Sequence, residues 1–230
     1  MLTARLILER FSKGGKLLER RERPSRSFLF QFIELLYLAH AQIQGGAPYS
    51  MTDISGAACD VDSQSFGGST RQSKANLKVG APPGSSGMLL NNGYLGGGAA
   101  VNVNQLTIEG ERIGIVVGTG VGAVIPADIA LGTRIAHGDG AGEMEYGGCE
   151  LIGMTIADPN GQFTIRRYFT NSSGGGITVQ EAGIYAVGTI CAGAALAWAW
   201  PFCIARDLTG GVAVADTELL RATYVVQITV

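Results

Sequence analysis

Charge is what this sequence has least of: Asp, Glu, Lys and Arg together make up 16% of its 230 residues, against roughly a quarter in soluble domains. A free-standing monomer of this size would present an unusually uncharged surface, so burial within an assembly is the expectation. Histidine is almost absent. His40 and His137 are the whole supply, glycine-rich stretches separate them, and no serine sits in a G-x-S-x-G elbow, so a Ser-His-Asp triad has little to stand on. The four cysteines, Cys59, Cys149, Cys191 and Cys203, show neither C-x-x-C spacing nor a neighbouring histidine. That argues against a zinc site or a thioredoxin-like motif and leaves buried free thiols. No G-x-x-x-x-G-K-[ST] loop surrounds Lys13 or Lys16, which removes the usual cradle for a transferable phosphate. Long apolar runs are missing too. Phe28 to Ala41 is interrupted by Gln31 and Glu34, Ile190 to Trp200 is too short to span a bilayer, and Met1 to Leu8 lacks the charged-then-apolar order of a secretion signal. Synthesis in the cytoplasm is expected. No catalytic residue, cofactor or metal ligand is assigned, and the chain reads as non-enzymatic.

What is abundant is glycine, at 35 residues, together with a 46% hydrophobic share and a mean hydropathy of +0.22. Without an every-third period, so much glycine means many tight turns and loops rather than collagen, and the apolar content is ample for a buried core. Charge is unevenly spread. Residues 1–40 hold eight Lys/Arg and four Asp/Glu, a balance of +4, which leaves nine and fifteen, or −6, for the rest of a chain whose total is −2. Attraction between complementary ends of neighbouring subunits is one reading of that asymmetry; a solvated basic hairpin is the plainer one.

Along the chain, Leu2 to Arg10 and Lys16 to Arg23 flank Lys13-Gly-Gly-Lys16, which predicts an amino-terminal hairpin with a two-residue turn. Pro24 stops the second strand, and Ser25 or Ser27 is placed to cap a helix from Phe28 to Gln44 that Gly45-Gly46 ends. That helix is apolar nearly all round, so it must be covered on more than one side, either within its own subunit or by a neighbour. One strand is expected near Met51 to Val61. Leu77 to Gly110 is then too rich in Ser, Gly, Asn and Pro for long elements and reads as an arm reaching a neighbour or a ligand. Arg112 to Val117 fits a buried strand. Ala127 to Ile135 holds one helical turn or an irregular loop, and Met144 to Ile156 and Gln162 to Thr170 are strands across Asp158-Pro-Asn-Gly161.

Phe163 to Tyr185 reads as a second hairpin, closed by Asn171 to Gly176. Its face Phe163, Ile165, Arg167, Phe169 is apolar except for Arg167, which predicts a bulge there or a paired arginine at an interface. Phe202 to Asp207 starts another strand. In the closing strand, Ala222, Tyr224, Val226, Ile228 and Val230 alternate with Thr223, Val225, Gln227 and Thr229, and the first set should face the core. These strands are expected to lie in one sheet system. The fold class is therefore mainly β: an antiparallel β-sandwich, jelly-roll or Ig-like, with an N-terminal β-hairpin and one apolar α-helix. It would be a single domain over 1–230, with hairpin and helix in 1–46, the arm in 77–110 and core strands in 111–230.

Four motifs invite chemistry. Gly118-Thr-Gly-Val-Gly-Ala123 has the loose form of a dinucleotide fingerprint, but Pro126 follows where a helix should open, so a structural glycine turn is the better reading. Asp60-Val-Asp62-Ser-Gln64 begins like a calcium loop and lacks its later glycine and glutamate. Asp139, Glu143, Glu145 and Glu150 would bind a cation, face the basic hairpin of another subunit, or simply be solvated. Arg20, Arg21, Arg23 and Arg26 are interleaved with Glu19 and Glu22, so no nucleic-acid contact is expected.

Pro24-Ser-Arg-Ser-Phe28 with its helix, Ile113-Gly-Ile-Val-Val-Gly-Thr-Gly120, Ile135-Ala-His-Gly138, Phe169-Thr-Asn-Ser-Ser173, Ile177-Thr-Val-Gln-Glu-Ala-Gly-Ile-Tyr185 and Ile204-Ala-Arg-Asp207 resemble a group of tailed-bacteriophage structural proteins. The resemblance covers roughly Leu2 to Tyr37 and Ile113 to Val230. It implies a β-rich virion component of capsid, neck or tail, a homo-oligomer that also meets other virion proteins, with no membrane contact. Leu77 to Gly110 and Thr189 to Pro201 depart from the pattern in length or apolarity. The expected assembly interface comprises Phe28, Phe32 and Leu36 of the helix, Arg20, Arg21 and Arg167, Leu89, Leu90 and Tyr94 of the arm, and Trp198 and Trp200. The competing class is a β-sandwich binding module, a tail-fibre or adhesin component docking carbohydrate through Trp198, Trp200 and Tyr185.

Overall fold

The computed structural model describes residues 2–25, 27–41, 49–62, 72–79, 111–193, 196–198 and 201–229. Leu2–Phe11 (β1) and Leu17–Ser25 (β2) form the expected amino-terminal hairpin. Its turn is one residue longer than the Gly-Gly pair predicts. The Gly15 N–H meets the Ser12 carbonyl, Ser12 N–H meets Lys16, and Gly15 takes φ +79°, the three-residue loop with a left-handed glycine at its end.

β1 and β2 belong to the first sheet, ordered β2-β1-β13-β9-β7, with β8 also paired to β9. Here β7 is Glu145–Tyr146, β8 is Glu150–Ala157, β9 is Asn160–Thr170 and β13 is Leu219–Thr229. The second sheet is built on Ile177–Gly193 (β10), which pairs with Pro201–Val214 (β12), Gly114–Gly118 (β6), Gln72–Lys78 (β5) and Leu196–Trp198 (β11). Ala58–Asp62 (β4) adds to β5 and Tyr49–Thr52 (β3) to β4, so the single strand predicted at Met51 to Val61 is a hairpin around an Asp53 turn. All pairings are antiparallel but β4 with β5.

The two sheets share one core. Leu6, Leu8, Ile165, Phe169, Leu220, Ala222 and Tyr224 of the first meet Val116, Val179, Ile184, Phe202, Val212 and Val214 of the second. The mainly β sandwich with a hairpin and one helix is therefore present. In β13 Ala222, Tyr224 and Val226 are buried as expected, but Thr223 and Val225 between them are buried as well, so burial does not alternate there, and Ile228 emerges at the sheet's end.

The second predicted hairpin is not formed. β9 lies in the first sheet beside β13, and β10 in the second beside β12, so 171–176 carries the chain from one sheet to the other. Asn171 explains the crossing. Its side-chain amide donates to the carbonyls of Gly175 and Val214, and its Oδ1 accepts from Ser173, so a buried polar side chain holds the loop folded where a ladder would otherwise begin.

Arg167 also departs from expectation, since the β9–β13 register runs through it without a bulge. Its fully buried guanidinium donates to the carbonyls of Gly147, Ile113 and Ile115 and lies 4.8 Å from the Tyr146 ring centroid. A cation on the apolar face is thus tolerated by carbonyl oxygens from beside β7 and from the β6 segment of the opposite sheet, inside the subunit and not at an interface.

Candidate assembly surface

The helix (α1) spans Phe30–Ala41, starting two residues later than predicted. Neither Ser25 nor Ser27 caps it. Ser25 Oγ donates to buried Asp207, and the Ser27 carbonyl accepts from Arg206 N–H, because 27–29 runs alongside β12, with the Leu29 N–H on the Ile204 carbonyl. The free N–H of Phe30 goes instead to the carbonyl of Pro126, so a loop from across the chain satisfies the helix start.

That loop, 119–134, is irregular and is held by a buried charge cluster. Glu181, with no exposed surface, accepts from the N–H groups of Gly120, Gly132 and Thr133 at 2.8–3.0 Å and from Arg206 Nε at 2.8 Å. Arg206 reaches on to Asp128 Oδ2 at 2.7 Å and to the Gly122 carbonyl, while Asp128 takes the Ile125 N–H. Burial alone would lower the Arg206 pKa, but these carboxylates outweigh it and raise it. An internal carboxylate therefore sits where a nucleotide phosphate would lie in a dinucleotide fingerprint. A Cβ on Gly120 would come within 2.3 Å of Glu181 Oε1, so this glycine is required by packing.

On the helix, Leu35, Leu38 and Gln31 face inward and are buried, and Gln31 Nε2 donates to the Thr52 carbonyl. Phe28 and Phe32 stack at 4.6 Å and pack against the core half-buried, and Leu36 is half-buried as well. The uncovered stripe is a different one. Phe30, Ile33 and Tyr37 are 58–61% exposed at i, i+3 and i+7, one face of the helix, and Ile125 beside Pro126 is exposed at 54%. Sequence reasoning placed the interface on Phe28, Phe32 and Leu36 because a helix apolar all round does not say which arc its own core will take. The three residues that remain outside were missed for that reason.

The remaining expected interface residues are dispersed. Arg20 is on the outer face of the first sheet, paired with Glu22 and Glu9, and Arg21 pairs with Glu19 and donates to the Gly210 carbonyl. The basic hairpin is thus largely neutralised by glutamates of its own subunit. Trp198 lies in β11 but its side chain, with Trp200, Leu89, Leu90 and Tyr94, lies outside the described residues, as do 80–110 of the predicted arm and the candidate calcium loop from residue 63 on. Tyr185 is buried and its hydroxyl accepts from the Leu131 N–H, so its ring offers no face to a sugar.

The acids 139–150 do not converge. Glu143 takes the Gly140 N–H, Glu145 takes Ser172 and Glu150 pairs with Arg166. Among the described residues no group of His, Cys, Asp and Glu is placed to hold a metal ion, and no helix is long and apolar enough to cross a membrane. Cys149 and Cys203 are free and buried, and burial pushes both thiols up, away from the reactive thiolate form. Comparison of the chain with protein-family models, with curated proteins and with solved structures finds no match.

Proposed function

We propose that this chain is a non-enzymatic structural subunit of a bacteriophage virion, completed by contacts with neighbouring subunits. The observation that carries the assembly reading is the stripe Phe30, Ile33, Tyr37: three large apolar side chains left outside on a helix whose opposite arc is already packed. Isolated exposed apolar residues are common, but aligned ones on a rigid helix mark a contact surface. The low charge content agrees with it. The virion assignment rests on the motif resemblance described above.

Electron microscopy of the purified chain tests the proposal, with Ile33→Glu as the control. Ordered rings, tubes or shells are expected from the wild type and their loss from Ile33→Glu, whose substitution at an exposed site leaves the fold's circular dichroism unchanged. A wild type that remains as single subunits, and that does not bind virions, contradicts it.

A further inference from the structure

The inner face of the first sheet does not stop where the core stops. Past Ala4, Tyr224 and Ile165 it continues through Val226 and Phe163 to Leu2, Ile228, Ile156 and Met154, which line a depression of about 500 Å³. Leu2, Leu151, Met154, Ile156 and Ile228 are 37–76% exposed. Their uncovered area is about 500 Å², at the upper end for the largest apolar patch on a monomer. β8 borders this patch and pairs with β9 alone among the described strands, leaving its other backbone edge open. The two outer edges of the sheet differ. β2 carries Glu19, Arg20, Arg21, Glu22, Arg23 and Pro24, the usual protection of an edge strand, whereas residues 151–157 of β8 carry no charge.

We propose that β8 is a homodimer seam: two copies of this chain join their first sheets by antiparallel pairing of β8 with β8 about a two-fold axis. The inference rests on the assembly reading above and specifies a second surface for it. The register follows from the bulge. Opposite β9, Leu151 pairs with Ile165 and Ile156 with Gly161, both on the inner face, while Ile152 and Thr155 share the outer face because one extra residue lies between them. Residues opposite each other in an antiparallel pair point to the same face. Setting Leu151 opposite Ile156 of the second copy, and Ile152 opposite its Thr155, satisfies this along the whole strand. It also puts Glu150 opposite an alanine, so no like charges meet. Cross-strand pairing covers Leu151 and Ile156 of each copy with one another, and the apolar faces of the two first sheets become continuous across the seam.

Sedimentation velocity on the full chain tests the seam, using wild type, Ile33→Glu, Ile156→Lys and Leu151→Glu. Ile33→Glu, which removes the helix contact, is expected to remain a dimer. Adding Ile156→Lys or Leu151→Glu to it should each raise the dimer dissociation constant at least about 100-fold. An equimolar mixture of those two should recover a heterodimer, because the new lysine and glutamate face each other in the proposed register. Misfolding would not be rescued by mixing. A dimer that persists in the Ile33→Glu, Ile156→Lys double variant, or two monomeric double variants that fail to recombine, overturns the seam while leaving the helix contact standing. A wild type that is monomeric at every concentration overturns both.

Discussion

Glu181 and Arg206 are the residues on which the position of the exposed loop depends. Both are buried, and between them they hold the N–H groups of Gly120, Gly132 and Thr133, the Gly122 carbonyl and Asp128. Replacing Glu181 by Gln leaves Arg206 short of one partner in a dry site, and a loss of about 3–5 kcal/mol in urea unfolding is expected. Arg167→Met is expected to cost about 3 kcal/mol or more, since the carbonyls of Gly147, Ile113 and Ile115 would lose their donor. Three tyrosines give a pH signature. Burial raises the pKa of Tyr146, Tyr185 and Tyr224 above the ordinary 10.0, with the Asp207 carboxylate adding to the shift at Tyr224. A folded-state pKa above the unfolded one stabilises the protein below pH 10 and is lost as pH rises beyond it. In an alkaline titration, phenolate absorbance from these three should therefore appear only together with unfolding.

At the scale of elements, the helix illustrates what sequence can and cannot give. Its existence, its apolar character and its need for cover on more than one side follow from 28–41, but its facing does not. Gln31 points inward to Thr52 while Phe30 and Ile33 stay outside, the reverse of what polarity suggests. β9 and β10 teach the same lesson. Strand propensity identified both, yet the glycine-rich link between them is equally compatible with a hairpin and with a change of sheet, and the long-range bond from Asn171 to Val214 decides it. The inward face of β13, Ala222, Tyr224 and Val226, was legible because period two leaves a single register, whereas the burial of Thr223 and Val225 on its other face depends on cover that the local pattern does not show. Substituting Ile33 by Glu should change stability by no more than about 0.5 kcal/mol, as measured by thermal unfolding, because the site touches solvent already. Leu35→Ala, on the buried arc of the same helix, should cost about 2–5 kcal/mol.

For the whole molecule, the two sheets are tied together by buried polar contacts as well as by the core. Ser25 and Tyr224 from the first sheet both donate to Asp207 of the second, and Arg23 donates to the Leu208 carbonyl. Such a body is rigid enough to present its outer surfaces in fixed geometry. Two of those surfaces are apolar and uncovered, the helix stripe and the end of the first sheet, and they are built from different elements. A chain finished by its neighbours needs more than one such surface if it is to extend beyond a dimer. Sedimentation velocity of the wild type across a concentration series tests this most directly. Dimers and larger species, growing with concentration and reduced to dimers by Ile33→Glu, are the predicted result; a single monomeric boundary at every concentration would contradict it.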